Sequence, residues 1–247
     1  MYLTEPKFFD IVIRQFRFKM NANAAAFTTL VLSQVVLLFA SLSNVYSHRF
    51  DTITTYEHNL SNDTIVWFTL FWALILGFIL TSAAQRNESF AFVTNRLSYQ
   101  LANFLFILTA SVIGGVTSVL TGSVVKLYAL LRFGDIVLGT PGLIAAPSDF
   151  FIRIATAIAY TMLFFMAGYT IGMFIQLNKI FILLFIGGWI FLEIIDSTSG
   201  GISLTQNGFA FFGSERSIAL FLLKVSGTTL GLFAICIAIT NRLEVRK

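Results

Sequence analysis

The 247-residue chain is 57% hydrophobic and only 11% charged, and its mean hydropathy is +0.83. Soluble domains carry about 25% charged residues, so a water-facing surface is excluded for most of this chain. The formal charge of +4 is spread over separate segments instead of forming a basic stripe, which excludes a nucleic-acid partner.

The chain opens with an amphipathic segment, residues 6–20. Pro6 suits a first helical position, where its missing N–H is not needed. Phe9, Val12, Ile13, Phe16 and Met20 recur at helical spacing, while Lys7, Asp10, Arg14 and Arg17 fall opposite. This predicts a helix lying in the cytoplasmic interface of a bilayer, its aromatics at the headgroup boundary. The segment is too long and too structured to be the charged lead of a cleavable signal peptide, so the N-terminus is taken as mature.

Six uncharged stretches follow, predicting spans at about 22–45, 64–84, 99–125, 154–176, 180–195 and 217–241. A helix needs about 20 apolar residues to cross roughly 30 Å of hydrocarbon. Four stretches meet that requirement. The fifth stops at Glu193 and the sixth begins after Lys224, so both charges must snorkel to an interface. The alternation of a β-barrel is missing.

Between the second and third spans, Arg86, Asn87 and Glu88 make a polar corner. Residues 89–99 could form a short amphipathic helix that displays Phe90, Phe92 and Arg96. Aromatic and Arg side chains are favoured interface anchors, so this loop is a candidate docking element. After the fifth span, Gly200, Gly201 and Gly208 punctuate residues 196–216. The short fifth apolar run predicts that this segment partly re-enters the membrane as short helices broken at those glycines. With Glu193 and Lys224 it is a candidate outer gate.

Ten of the sixteen Lys and Arg residues lie in the N-terminal segment, the loop after the second span, the turn at Lys179 and the tail. By the positive-inside rule these parts are cytoplasmic, and both termini with them. The expected fold is all-α: one transmembrane domain over residues 1–247, with six transmembrane helices preceded by the interfacial helix.

In this combination of elements the chain resembles the membrane subunit of type 2 ABC exporters, the six-helix permeases, over nearly its whole length. The likeness rests on the elbow at residues 8–20 (Phe9, Val12, Ile13, Arg14, Phe16, Arg17), the cytoplasmic loop 86–96 with Asn95 and Arg96, and the short fifth span with its Gly-rich sequel. It is closest to small permeases encoded beside a separate ATPase in Gram-positive bacteria. The resemblance implies an ATP-driven export permease in a bacterial plasma membrane that forms half of a translocation pathway. The loop residues Arg86, Asn87, Glu88, Phe90, Phe92, Asn95 and Arg96 would dock on an ATP-binding subunit. A second permease subunit, identical or divergent, would complete the pathway. The cargo would be a peptide, an antibiotic or a lipid-like molecule.

No phosphate-cradling G-x-x-x-x-G-K-[ST] run is present, so ATP and Mg are expected in the partner chain and no cofactor in this one. No catalytic pattern appears, and the chain is not expected to be an enzyme. His48 and His58 lack companions at ligand spacing, so no metal site is expected. Cys236 reads as a small buried hydrophobe. Gly168-x-x-x-Gly172 and Gly227-x-x-x-Gly231 read as packing sites within the subunit. Gln34 could bond Thr228 and Thr229 or line a pathway. The alternative function is a stand-alone secondary transporter or channel, which usually shows midplane carboxylates or an internal repeat. Neither is apparent. A membrane enzyme or assembly factor is a third class, without a candidate constellation.

Overall fold

The computed structural model describes residues 8–47, 63–82, 85, 96–133, 147–198, 204–215 and 217–242. Eight helices lie among them: α1 (Phe8–Ala22), α2 (Ala24–Ser47), α3 (Asp63–Leu80), α4 (Arg96–Phe133), α5 (Pro147–Leu177), α6 (Ile180–Thr198), α7 (Leu204–Gly213) and α8 (Ile218–Arg242). No strand occurs among the described residues. Local chemistry accounts for several ends. α1 has Asp10 in its first turn and Lys19 in its last, each complementing the helix dipole. α5 starts on Pro147 with Asp149 in its first turn. Between α5 and α6 the chain turns within two residues, and the Asn178 side-chain oxygen accepts from the Ile180 N–H at 3.1 Å.

Five helices are long and apolar enough to cross a membrane: α2 over Ala24–Leu42, α4 over Arg96–Tyr128, α5, α6, and α8 over Ile218–Thr240. The chain is therefore a multi-pass, all-helical membrane protein. The second expected span, in α3, has a shorter apolar run, Thr64–Leu80. The third expected span extends well past residue 125, since α4 holds 38 residues and is about 57 Å long.

The bundle is built round α5, which packs against α3, α4 and α8. The core joins Ala73, Leu76 and Leu80 of α3, Phe106 and Ile107 of α4, Phe165, Met166 and Tyr169 of α5, and Cys236 and Ile239 of α8. Phe106 meets Phe165 edge-on at 6.2 Å, and Phe27 of α2 meets Phe106 at 6.0 Å. In a bilayer, tails are as apolar as the side chains, so close packing has to drive association. The α3–α5 seam supplies it through small residues. Gly77 faces the Phe165 carbonyl, Gly168 faces Leu74 backbone, and Gly172 faces Thr81. Gly168 and Gly172 thus pack within the subunit, as expected. Gly227 and Gly231 do not: a Cβ at either meets nothing within 4 Å.

α1 is present, but its buried face differs from the apolar stripe of the sequence. Val12, Gln15 and Lys19 are buried, whereas Phe9 is 72% exposed and Ile13 is 44% exposed. The helix packs on α4, and the Lys19 ammonium lies 4.5 Å from the centroid of the Tyr99 ring. Attraction to that ring lets a lysine enter the contact face, which periodicity of apolar residues does not reveal.

Candidate functional site

Two features have the chemistry of a working site: a polar belt at one end of the bundle and an apolar cleft at the other. The belt is built where α1 ends, α2 and α4 begin, and α5 and α8 end. The Tyr169 hydroxyl donates to Gln100 Oε1 at 2.7 Å and accepts from Asn103 Nδ2 at 2.7 Å. Gln100 Nε2 in turn donates to the Thr240 hydroxyl, and an Arg96 guanidinium N–H points to the Thr240 carbonyl at 3.4 Å. Gln85 Nε2 donates to Asn23 Oδ1 at 3.1 Å, and Asn23 Nδ2 donates to the Lys19 carbonyl at 2.9 Å. These bonds tie the segment after α3 and the first turn of α4 to the start of α2 and the end of α8.

Of the expected docking residues, Arg86, Asn87, Glu88, Phe90, Phe92 and Asn95 lie outside the described residues. Arg96 is the first residue of α4, so that helix starts three residues earlier than expected. In the elbow, Arg14 and Arg17 are exposed, Phe16 is half-buried and Val12 is buried.

Of the two readings open for Gln34, contact with Thr228 and Thr229 is not found. Its amide donates to the Thr117 hydroxyl at 3.1 Å and to the Thr69 hydroxyl at 3.3 Å, joining α2 to α4 and α3. Thr228 and Thr229 bond backbone carbonyls of their own helix. The reason is the neighbourhood of α2, which packs on α3 and α4.

The cleft, of about 990 Å³, lies between α3, α5, α6, α7 and α8, with Trp67, Phe164, Trp189, Phe212 and Ile235 among its walls. Two hydroxyls in the wall are already bonded. Tyr160 donates to the Phe212 carbonyl at 3.2 Å, and Thr228 donates to the Lys224 carbonyl at 2.9 Å. The wall is therefore chemically apolar. Among the described residues an ion pair lies next to the cleft, at Lys224, one helical turn before Thr228 in the wall. Lys224 pairs with Glu215, donates to the Phe211 carbonyl at 3.2 Å and sits 4.2 Å from the centroid of the Phe211 ring.

The candidate gate residues separate. Lys224 belongs to this ion pair, whereas Glu193 is exposed on α6. Gly208 was expected to break a helix, but it lies inside α7 and lines the cleft. The short fifth apolar run needs no break there because α6 continues to Thr198. Gly200 and Gly201 lie outside the described residues. Sequence reasoning missed the Gln100–Asn103–Tyr169 cluster. Its signal was two amide side chains at i and i+3 within an apolar run. Glu215 and the lining aromatics had no such signal, because they meet only in three dimensions.

Among the described residues no group of three or more His, Cys, Asp and Glu could hold a metal ion. Comparison with protein-family models, curated proteins and solved structures gives no match.

Proposed function

We propose that the chain is the permease subunit of an ATP-driven ABC exporter, coupled to a separate ATP-binding subunit and forming half of the pathway with a second permease. The reading counts α3 as a sixth span, its 18 residues reaching about 27 Å, and sets both termini in the cytoplasm. The observation that carries it is the polar belt. Residues on both sides of the loop 86–95 are fastened to the bundle, at Gln85 to α2 and at Arg96 to α8. A force applied to a loop held this way reaches α2 and α8 directly instead of dissipating in a slack connection. α1 braces the same place through Lys19 and Tyr99.

Support for a second permease comes from α6. No residue of this 19-residue helix is buried, and Leu183 is 73% exposed. One face can meet lipid while another meets a partner helix.

The test is affinity purification of the tagged chain from its own host's membranes in mild detergent, with identification of every co-purifying protein. The reading expects an ATPase with Walker motifs at stoichiometric yield and a second permease chain. Recovery of the chain alone from membranes that contain the candidate ATPase would contradict it.

A further inference from the structure

The cleft combines features that a packing defect would not. Its walls on α3 run from Val66 to Leu74 and on α8 from Thr228 to Ile235, inside apolar helices. The α8 wall covers seven residue steps, about 10 Å, and the distance from Lys224, one turn before it, is eleven steps, about 16 Å. One leaflet of hydrocarbon is about 15 Å deep, half of roughly 30 Å. Trp189 in its wall is 54% exposed. The end next to Lys224 sets an ammonium beside a carboxylate, the Lys224–Glu215 pair. α7 lies over that end, with Phe212, like Tyr160 and Leu163, packed against the buried cluster of Ala159, Phe221 and Val225.

We infer that this cleft is a binding site for one phospholipid with a phosphate–amine headgroup, taken from the leaflet that adjoins α7. The acyl chain lies between α3, α5 and α8 against Trp67 and Phe164. The phosphate meets the Lys224 ammonium, and the headgroup amine meets the Glu215 carboxylate. Three matches argue for this occupant over others. The wall together with Lys224, one turn beyond it, spans the depth of one leaflet, the two hydroxyls of the wall are already bonded, and the Lys224–Glu215 pair beside it carries both charges of a zwitterionic headgroup. A polar solute would find only the indole N–H groups of Trp67 and Trp189 along the wall, and burying its other polar groups there would cost several kcal/mol. The site depends on the cleft and its membrane setting alone. It is occupied whether or not an ATPase partner exists, so its failure and that of the export reading are separable.

Two of the three tryptophans, Trp67 and Trp189, line the cleft, and Trp72 packs instead against Phe27 and Phe165. Intrinsic fluorescence therefore reports occupancy. The full chain, purified and delipidated in detergent, is titrated with phosphatidylethanolamine carrying a brominated acyl chain, which quenches nearby tryptophan. The expected result is saturable quenching at one lipid per chain. Gly231→Phe places a ring in the open space of the cleft and should weaken binding at least tenfold. Gly187→Phe, on α6 with equally open surroundings but outside the cleft, should leave it unchanged. Lys224→Gln should weaken binding about fivefold while retaining saturation. Size-exclusion profiles of all variants check folding, and Phe164→Ala, which enlarges the cleft, serves if Gly231→Phe aggregates: its affinity should fall at least threefold. Quenching that rises without saturation and equally in every variant means ordinary boundary lipid and overturns the site. So does saturable quenching indifferent to Gly231→Phe, or protection from quenching by a second copy seated in the cleft.

Discussion

Tyr169 closes the polar belt because its single hydroxyl serves two amides, accepting from Asn103 and donating to Gln100, with no exposure to solvent. Tyr169→Phe strands Asn103 Nδ2 and Gln100 Oε1 in an apolar bundle, while Gln100 Nε2 keeps Thr240. Hydrogen bonds between membrane helices are worth about 0.6 kcal/mol on average and up to about 1.7, so a loss of about 1–2 kcal/mol is expected. Thermal unfolding in detergent measures it, and a variant as stable as the parent would show the triad to be idle. Glycines allow a sharper comparison. Gly168→Leu drives a side chain into Leu74 backbone and should cost 2 kcal/mol or more, of the order of overpacking penalties. Gly227→Leu enters open space and should be nearly neutral. Monodispersity after heating distinguishes the two, and equal loss in both would refute the α3–α5 seam.

At the scale of elements, the question is whether α3 crosses the membrane. If it does, the segment after it lies on the side of α1. Glu88→Cys in a Cys236→Ser background, where the serine can keep the contact Cys236 makes with Thr170, should resist impermeant thiol reagents in intact cells and react once the cells are opened. Labelling in intact cells would remove α3 from the count of spans. Much of the helical layout was legible in the sequence, because an uncharged run of twenty residues has one stable form in hydrocarbon and charges mark its ends. The lengths of α4 and α5 were less legible, since helices continue into water on propensity, where hydropathy is silent. The place of Lys19 on the contact face of α1 was not legible, because it is stabilised by Tyr99, eighty residues away in the chain. The cleft was illegible altogether. Its walls come from five helices, and no local pattern in any one of them marks a shared void.

For the whole molecule, the belt and the cleft divide the labour between two ends of one bundle. The belt anchors the loop proposed to receive movement from an ATPase, and the cleft lies toward the opposite end of the bundle. The uncovered α6 leaves a surface for the proposed second permease. The central claim is that the loop 86–95 couples this bundle to an ATP-binding subunit. Its most direct test is the Phe90→Ala/Phe92→Ala double variant, purified beside the parent and assayed for retained ATPase and for ATP hydrolysis in lipid nanodiscs. Loss of a buried interface aromatic typically costs about 2 kcal/mol, which weakens docking well over tenfold. The account predicts normal insertion of the variant with loss of the bound ATPase and its hydrolysis. Full retention of both would contradict it.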